Sequence, residues 1–402
     1  MGTTVTRIGA VVVAELRAAG YMESTIGQYV KTIKALAAFV EARDCVYSPR
    51  LGAEFASMTV SPRTGRFSVQ RRFAFGRLVR VFDSYLCSGR VDLSVCRRGG
   101  GGPRPSVSSF ATLNAAWEVD MERRCLAPAT REAYGRVARG YLVFLEASGV
   151  SDLDGADGAS VLAFLESLVS GRWAKSSLFW VVSNFRSFLK FTGRVDLVEA
   201  LNVAGVKRPH EIISPLSDDD EELVVAACAS EAVSARDAAI TLLALTTGLR
   251  ACDIVDLRRR DIDWRGRTIG IVQQKTGNPL RLPLPSLLMA KLADYVLDER
   301  PASDDDHVFL RSKAPHTPLS GHAAVHRVTV TTFRAARVAN PRAGTRLLRH
   351  NAASRLMAAA VALPTISAVL GHASMESTNV YLSVDWERLV ECVLPVPEGA
   401  RQ

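Results

Sequence analysis

No stretch of this 402-residue chain has the roughly 20 consecutive apolar residues that a membrane-spanning helix needs. The first apolar patch, Val11 to Val13, is soon followed by Glu15 and Arg17, which is not the pattern of a signal peptide. Hydrophobic residues nevertheless make up 48% of the sequence, which is ample for buried cores. We therefore expect a multidomain protein with no membrane association.

Cysteine is sparse as well, with seven residues scattered along the chain and no CxxC pair. An odd, scattered set is typical of free thiols in a reducing compartment, so we expect a cytoplasmic protein. No HExxH or similar spacing of zinc ligands occurs. Three histidines lie between residues 316 and 326, but no carboxylate or thiolate pattern accompanies them. We predict no metal site.

Positive charge is in excess and unevenly distributed. The net charge is +9, and residues 1–98 alone hold 15 Lys and Arg against 7 Asp and Glu, a net charge of +8. Six arginines lie between Arg63 and Arg80, interleaved with Phe67, Phe73 and Phe75. This pattern fits either a solvated helix face over an aromatic core or a surface that contacts phosphates, and the arginine density favours the second. The candidate DNA-contacting residues here are Arg66, Arg71 and Arg72.

Two breaks divide the chain into three segments. Residues 99–106 form a Gly/Pro-rich basic linker, and residues 207–215 form a second linker that begins with Lys207 and Arg208. Ser217 and the acidic run after it predict the start of a helix. We expect an N-terminal helical domain over 1–98, a second helical domain over 107–206 and a third domain over 216–402.

The first two segments resemble each other. Thr25, Tyr29, Phe39 and Glu41 recur 105 residues later as Thr130, Tyr134, Phe144 and Glu146. Farther on the offset becomes 106, where Gly171, Arg172 and Trp173 repeat an earlier Gly-Arg-Phe. Apolar residues at three- and four-residue steps predict helices in both segments. Such constant spacing indicates a duplicated helical module, and it marks Arg172 and Lys175 as further DNA-binding candidates.

The third segment mixes helices with a β-hairpin. Residues 268–272 and 280–284 are predicted to be strands joined by a turn at 276–279. Apolar periodicity predicts helices over 237–245, 325–336, 347–360 and 363–370. A further short amphipathic helix is expected at 386–390, in the tail of the chain.

Four short motifs in this segment resemble the catalytic boxes of the tyrosine recombinases, the phage integrase family. They are Thr247-Gly248-Leu249-Arg250, Lys275-Thr276-Gly277, Arg346-Leu347-Leu348-Arg349-His350, and Leu370-Gly371-His372 with Tyr381 nine residues farther on. Any single box is a weak match, whereas four in order are specific. The catalytic resemblance covers about residues 216–390, and residues 107–206 resemble the family's core-binding domain.

The resemblance implies a role for each residue. Arg250 and Arg349 would bind the scissile phosphate, because a guanidinium binds two phosphate oxygens and stays charged. Tyr381 would attack and form a 3′-phosphotyrosyl ester, and Lys275 would protonate the leaving 5′ oxygen. His372 would hydrogen-bond the phosphate, while His350 would support proton transfer or the local fold. The ester keeps the bond energy, so no ATP, metal or other cofactor is expected.

Two positions depart from the family pattern. Arg346 stands where the second box often has a histidine, and arginine cannot serve as a general base. It could still contact phosphate. Asp253 stands where an acid, often glutamate, commonly follows the first arginine, and it could orient Arg250 or nearby backbone.

The resemblance thus implies a mainly α protein with a small β-sheet. Tandem helical (SAM-like) DNA-binding domains would precede an α+β catalytic domain, with residues 107–206 and 216–402 clamping the duplex. The expected function is site-specific recombination for a mobile element, of the transposon or recombinase-in-trio type. The expected partners are double-stranded DNA, a tetramer of this chain on two synapsed sites, and other recombinases, with a nucleoid location. The alternatives are a type IB topoisomerase-like enzyme and a DNA-binding accessory protein without catalysis.

Overall fold

The computed structural model describes residues 4–93, 103–170, 177–203, 214–340 and 344–371. Residues 4–93 contain four helices, α1 (Thr4–Ala18), α2 (Glu23–Glu41), α3 (Pro49–Ser57) and α4 (Val69–Ser88). Helix α1 shows why the segment folds, since Val5, Ile8, Val12 and Leu16 recur at helical spacing and are all fully buried.

The second segment repeats these four helices and adds a fifth. Its helices are α5 (Ser108–Arg123), α6 (Pro128–Ala147), α7 (Gly158–Ser170), α8 (Leu178–Thr192) and α9 (Val195–Val203). The connections repeat too. Gly20 and Cys125, 105 residues apart, both have positive φ, and so do Asp44 and Gly149 at the same offset. The duplicated module predicted from side-chain spacing is therefore also present in the backbone.

The third segment contains helices and a sheet. Its helices are α10 (Asp218–Ala229), α11 (Ala235–Thr247), α12 (Ala251–Asp256), α13 (Ser286–Asp294), α14 (Gly321–Ala335), α15 (Thr345–Ala358) and α16 (Leu363–Leu370). Ser217 caps α10 as predicted, accepting a hydrogen bond from the Asp220 amide at 3.2 Å. Helix α14 begins four residues before the predicted start, because its first turn holds only Gly, His and Ala and the large apolar residues begin at Val325.

Three antiparallel strands lie beside these helices in the order β1 (Ile262–Asp263), β2 (Thr268–Val272) and β3 (Pro279–Pro283). Strand β2 has the predicted bounds, and β3 begins one residue earlier than predicted. The register pairs Ile269 with Leu282, and both side chains face the core. The β2–β3 hairpin therefore has one face anchored in the core.

Each segment has its own hydrophobic core, with the largest clusters drawn from residues 5–82, 110–201 and 216–348. The chain as a whole forms two compact units, one of residues 96–211 and one that combines 1–95 with 212–402. Among the described residues, no helix is long and apolar enough to cross a membrane.

Candidate active site

The turn after α11 sets the position of Arg250. Helix α11 ends at Gly248, whose φ of +63° is left-handed, as is common for glycine at a helix C-terminus. Space also requires glycine there, because a Cβ would lie 2.8 Å from Leu370 Cδ2. Two residues later Arg250 occupies the N-cap position of α12, half-buried. The Thr-Gly-Leu-Arg motif thus ends helix α11 and places Arg250 beside the backbone of Leu370.

Arg349 reaches the same place from α15. Its side chain is 9% exposed and donates from Nη1 to the Gly248 carbonyl at 2.8 Å and from Nη2 to the Leu370 carbonyl at 2.9 Å. Arg250 donates from Nη2 to the adjacent Gly371 carbonyl at 3.2 Å. The first and second motifs therefore meet at the Leu370–Gly371 turn, where the third motif begins.

Gln273, at the base of the β2–β3 hairpin, joins this cluster. It is 1% exposed, and its Nε2 donates to the Leu370 carbonyl at 3.1 Å. Its Oε1 accepts hydrogen bonds from Arg250 Nη1 and Thr276 Oγ1, each at 2.9 Å. Lys275 lies between Gln273 and Thr276 in the turn, with its side chain exposed. The hairpin turn that carries the lysine is therefore tied to both arginine motifs.

Asp253 supports the hairpin rather than Arg250. It is 3% exposed, and its Oδ1 accepts a hydrogen bond from the Gln274 amide at 2.9 Å. The sequence left two roles open for Asp253, which were to orient Arg250 or to orient nearby backbone. The hydrogen bond to the Gln274 amide matches the second role.

Arg346 and His350 lie one turn apart on α15. Arg346 is exposed, whereas His350 is 7% exposed. Burial, together with the positive charges of Arg346 and Arg349, lowers the pKa of His350 to about 4. The imidazole is therefore neutral at pH 7, as a proton acceptor must be, although its basicity is low.

This pKa has a measurable consequence for folding. The unfolded chain takes up a proton at His350 below pH 6.5, whereas the folded chain resists it down to about pH 4. The contribution of His350 to stability is thus complete above pH 6.5 and is lost as the pH falls toward 4. We expect His350→Gln to flatten the loss of stability between pH 7 and pH 5 by about 1–2 kcal/mol. Urea denaturation of both proteins at the two pH values measures this, and equal losses would contradict the assigned burial.

His372 and Tyr381 lie outside the described residues, as does the predicted tail helix. His372, to which the sequence assigns phosphate binding, directly follows Gly371 in the sequence. Arg250, Lys275, Arg349 and the supporting Asp253 are brought together by backbone and hydrogen bonds. Arg346 and His350 lie on helix α15, which also carries Arg349.

The arginine-rich surface of residues 60–73 is a short hairpin followed by the start of α4. Val60 and Phe67 form a β-bridge, and residues 62–67 are all exposed, including Arg66. Arg72 is exposed as well, whereas Arg71 donates from Nη1 to the Val60 carbonyl at 2.6 Å and so closes the hairpin. The other four DNA-binding candidates, Arg172, Lys175, Lys207 and Arg208, lie outside the described residues.

Sequence reasoning missed Gln273, Thr276 and the packing role of Gly371. A Cβ on Gly371 would lie 1.9 Å from Gln273 Oε1, and its φ is +64°. The polar Gln-Gln-Lys-Thr-Gly turn was a signal that its side chains have partners, but the partners outside the turn lie 18 to 97 residues away. Within the part of the chain that the structure describes, no group of His, Cys, Asp or Glu could hold a metal ion.

Comparison with known proteins shows the family and the fold of this chain. Residues 215–388 match the model of the phage integrase family. The tyrosine recombinase XerC of Mesorhizobium japonicum is 30% identical over 302 residues, which cover 71% of this chain and 95% of that protein. The Tn1549 transposon integrase in complex with a circular intermediate DNA has a TM-score of 0.54 at 14% identity, covering 69% of this chain and 99% of that one. The XerH recombinase bound to a palindromic difH substrate has a TM-score of 0.53 at 16% identity, covering 72% and 90%. At these identities the structural likeness shows the fold.

Proposed function

This chain belongs to the tyrosine recombinases of the phage integrase family, and we propose that the cluster at Leu370–Gly371 is its site for the scissile phosphate. The protein is a site-specific DNA recombinase that cleaves and rejoins strands by transesterification. The observation that carries the site proposal is the convergence of Arg250, Arg349 and the Lys275 hairpin on one turn. Three sequence-distant motifs share hydrogen-bond partners there.

The two arginines would stabilise the charge that builds on the non-bridging oxygens in the transition state. Among the described residues Arg250 donates two side-chain hydrogen bonds, both to neutral oxygens. A guanidinium has five N–H donors, so three remain for an anion. Because the arginine is already held in place, little reorganisation is needed when phosphate binds, which is the condition for efficient electrostatic catalysis.

Tyr381 would be the nucleophile. Its oxygen bonds to phosphorus as the bond to the 5′ oxygen breaks, and Lys275 supplies the proton that the 5′ oxygen takes. His372 would hydrogen-bond a phosphate oxygen. The reverse attack by a DNA hydroxyl restores the duplex strand and frees the tyrosine, so the chemistry consumes no ATP.

Proton removal from Tyr381 falls to a group other than Arg346, which would instead add a phosphate contact. His350 is neutral at pH 7, but its low pKa makes it a weak base. We assign it a hydrogen-bonding role, and water or the phosphate itself takes the proton. A suicide substrate, nicked so that the 5′ product diffuses away, tests the proposal directly. Wild-type protein should form a covalent DNA adduct, and its absence would return the protein to the accessory class.

Residues 1–98 would be an additional DNA-binding domain, 107–206 the core-binding domain and 216–402 the catalytic domain. The support is the repeated helix order and the exposed arginines of the 60–73 surface, which has no acidic residue. Lys207 and Arg208, with the 207–215 linker, would follow the phosphate backbone between domains.

Salt dependence tests this surface. Each phosphate contact contributes about 0.9 to the slope of log K against log salt concentration. The double variant Arg66→Gln/Arg72→Gln of the full chain should therefore lower that slope by nearly two. Arg17→Gln is the matched control, because Arg17 lies on α1 and pairs with Glu23 at 3.2 Å. Equal slopes for the double variant, the control and the wild type would leave residues 1–98 as a protein-interaction domain.

We further propose a tetramer on two synapsed sites, with the C-terminal tail docking on a neighbouring subunit, in the nucleoid of the cytoplasm. The size of the chain and its duplicated helical module favour a mobile-element enzyme, of the transposon or recombinase-in-trio type, that acts with other recombinases. Sequencing the DNA that flanks the gene tests this assignment. An element boundary with a repeated core site is expected, and its absence in several isolates argues for a chromosomal role.

A further inference from the structure

Gln273 is the residue through which the arginines and the hairpin lysine are connected. Its side-chain oxygen accepts two hydrogen bonds, from Arg250 and Thr276, while its amide nitrogen donates to the Leu370 carbonyl. Only an amide offers an acceptor and a donor in one planar group of this size. A carboxylate would lose the Leu370 contact, and an aliphatic side chain would lose all three.

The backbone of Gln273 closes the hairpin turn. Its amide donates to the Asn278 carbonyl at 2.9 Å, and its own carbonyl accepts from the Gly277 amide at 2.8 Å. Strand pairing ends just before, with Val272 opposite Pro279. Gln273 is therefore fixed at the base of the turn through both its main chain and its side chain.

Hydrogen bonds of both neighbours hold the turn that carries Lys275. On one side the Gln274 amide bonds to Asp253, and on the other the Thr276 hydroxyl bonds to Gln273 and to the Gly371 carbonyl. Oε1 of Gln273 accepts from both Thr276 and Arg250, so it joins the turn to the arginine cluster. Removing that oxygen loosens the turn against Arg250 while the strands stay paired.

We propose that Gln273 is a positioning residue for general-acid catalysis, holding the Lys275 turn at the distance from Arg250 at which the lysine protonates the leaving 5′ oxygen. This inference rests on the proposed recombinase site. It assigns Gln273 and Thr276 to the departure of the leaving group, not to phosphate binding.

The chemistry of the leaving group distinguishes these roles. With a normal substrate the P–O5′ bond breaks and the oxygen takes a proton from Lys275. With a 5′-bridging phosphorothioate the P–S bond breaks instead, and sulfur leaves as a thiolate that needs no proton, since thiol pKa values are near 8.5. A variant that impairs only proton delivery should therefore be rescued by sulfur, whereas one that impairs charge stabilisation should not.

The experiment compares single-turnover cleavage of oxygen and sulfur suicide substrates by full-length variants. General acids contribute about 10²–10⁴-fold, so Thr276→Val should slow oxygen cleavage by up to roughly a hundredfold and match the wild type on sulfur. Gln273→Leu should be slower still on oxygen and be rescued at least in part, because it also loses the Arg250 contact. Lys275→Ala is the reference for a variant whose cleavage is restored on the sulfur substrate. Arg250→Ala is the reference for a variant whose cleavage stays slow on both substrates.

Thr331→Val is the matched control, because that hydroxyl bonds a carbonyl within α14, at 2.9 Å from Arg327 O, outside the site. If Gln273→Leu is too unstable to assay, the comparison rests on Thr276→Val. Equal slowing of Thr276→Val on both substrates overturns the positioning role while leaving a catalytically active wild type. A wild type that forms no adduct with either substrate overturns the proposed site and this inference together.

Discussion

Tyr381→Phe is expected to form no covalent adduct with a nicked suicide substrate while still binding the same DNA. Phenylalanine lacks the oxygen that bonds to phosphorus, so the loss should be complete rather than partial. The ring is retained, and the arginines, the hairpin and the helical domains are unchanged. Affinity for the uncleaved site should therefore stay within a few-fold of the wild type.

Denaturing gel electrophoresis of protein and labelled DNA measures the adduct, and a mobility-shift titration measures binding. The control is Tyr295→Phe, because Tyr295 is buried away from the site and its hydroxyl oxygen accepts a hydrogen bond from the Leu310 amide at 3.0 Å. That variant should still form the adduct. An adduct with Tyr381→Phe would mean that another residue is the nucleophile.

Arg250→Ala and Arg349→Ala should both abolish measurable cleavage, with different effects on folding. Loss of one preorganised donor group costs about 10²–10³-fold in oxyanion sites, and a bidentate guanidinium should cost at least that much here. Arg250 is half-buried, so its removal leaves mainly a missing charge. Arg349 is buried, and its removal also takes one hydrogen-bond donor from each of the Gly248 and Leu370 carbonyls.

An unsatisfied buried polar group costs about 1–3 kcal/mol, so Arg349→Ala should lower the unfolding free energy by a few kcal/mol and Arg250→Ala by clearly less. Arg349→Lys should restore little cleavage or stability. One ammonium group cannot replace a planar guanidinium that bonds to two carbonyls and a phosphate. Adduct yield and urea denaturation of the same preparations separate the two effects. Equal stability of the two alanine variants would contradict the structural role assigned to Arg349.

Most helices and the β-hairpin were predictable from sequence because their causes are local. Apolar residues at helical steps define α1 and α15, and the turn residues near Gly277 define the hairpin. Errors came where local causes are weak, as in the first turn of α14, which has no large apolar side chain. The arginine-rich stretch between Arg63 and Arg80 shows the same limit of local patterns, because they do not decide which aromatic side chains are buried. Of its three interleaved aromatics, only Phe75 enters the core, while Phe67 and Phe73 are 56% and 39% exposed.

The identities of the catalytic candidates also followed from sequence, because four ordered motifs name residue types whose chemistry suits phosphate transfer. What holds them together did not follow. Gln273 contacts Arg250 across 23 positions and Leu370 across 97, and no local pattern specifies such partners. Only the packing of α11, α15 and the hairpin around the Leu370–Gly371 turn decides that the two arginines and the lysine turn share one hydrogen-bonded cluster. The physical reason is that hydrogen bonds between distant residues form only when the fold brings their atoms within about 3 Å.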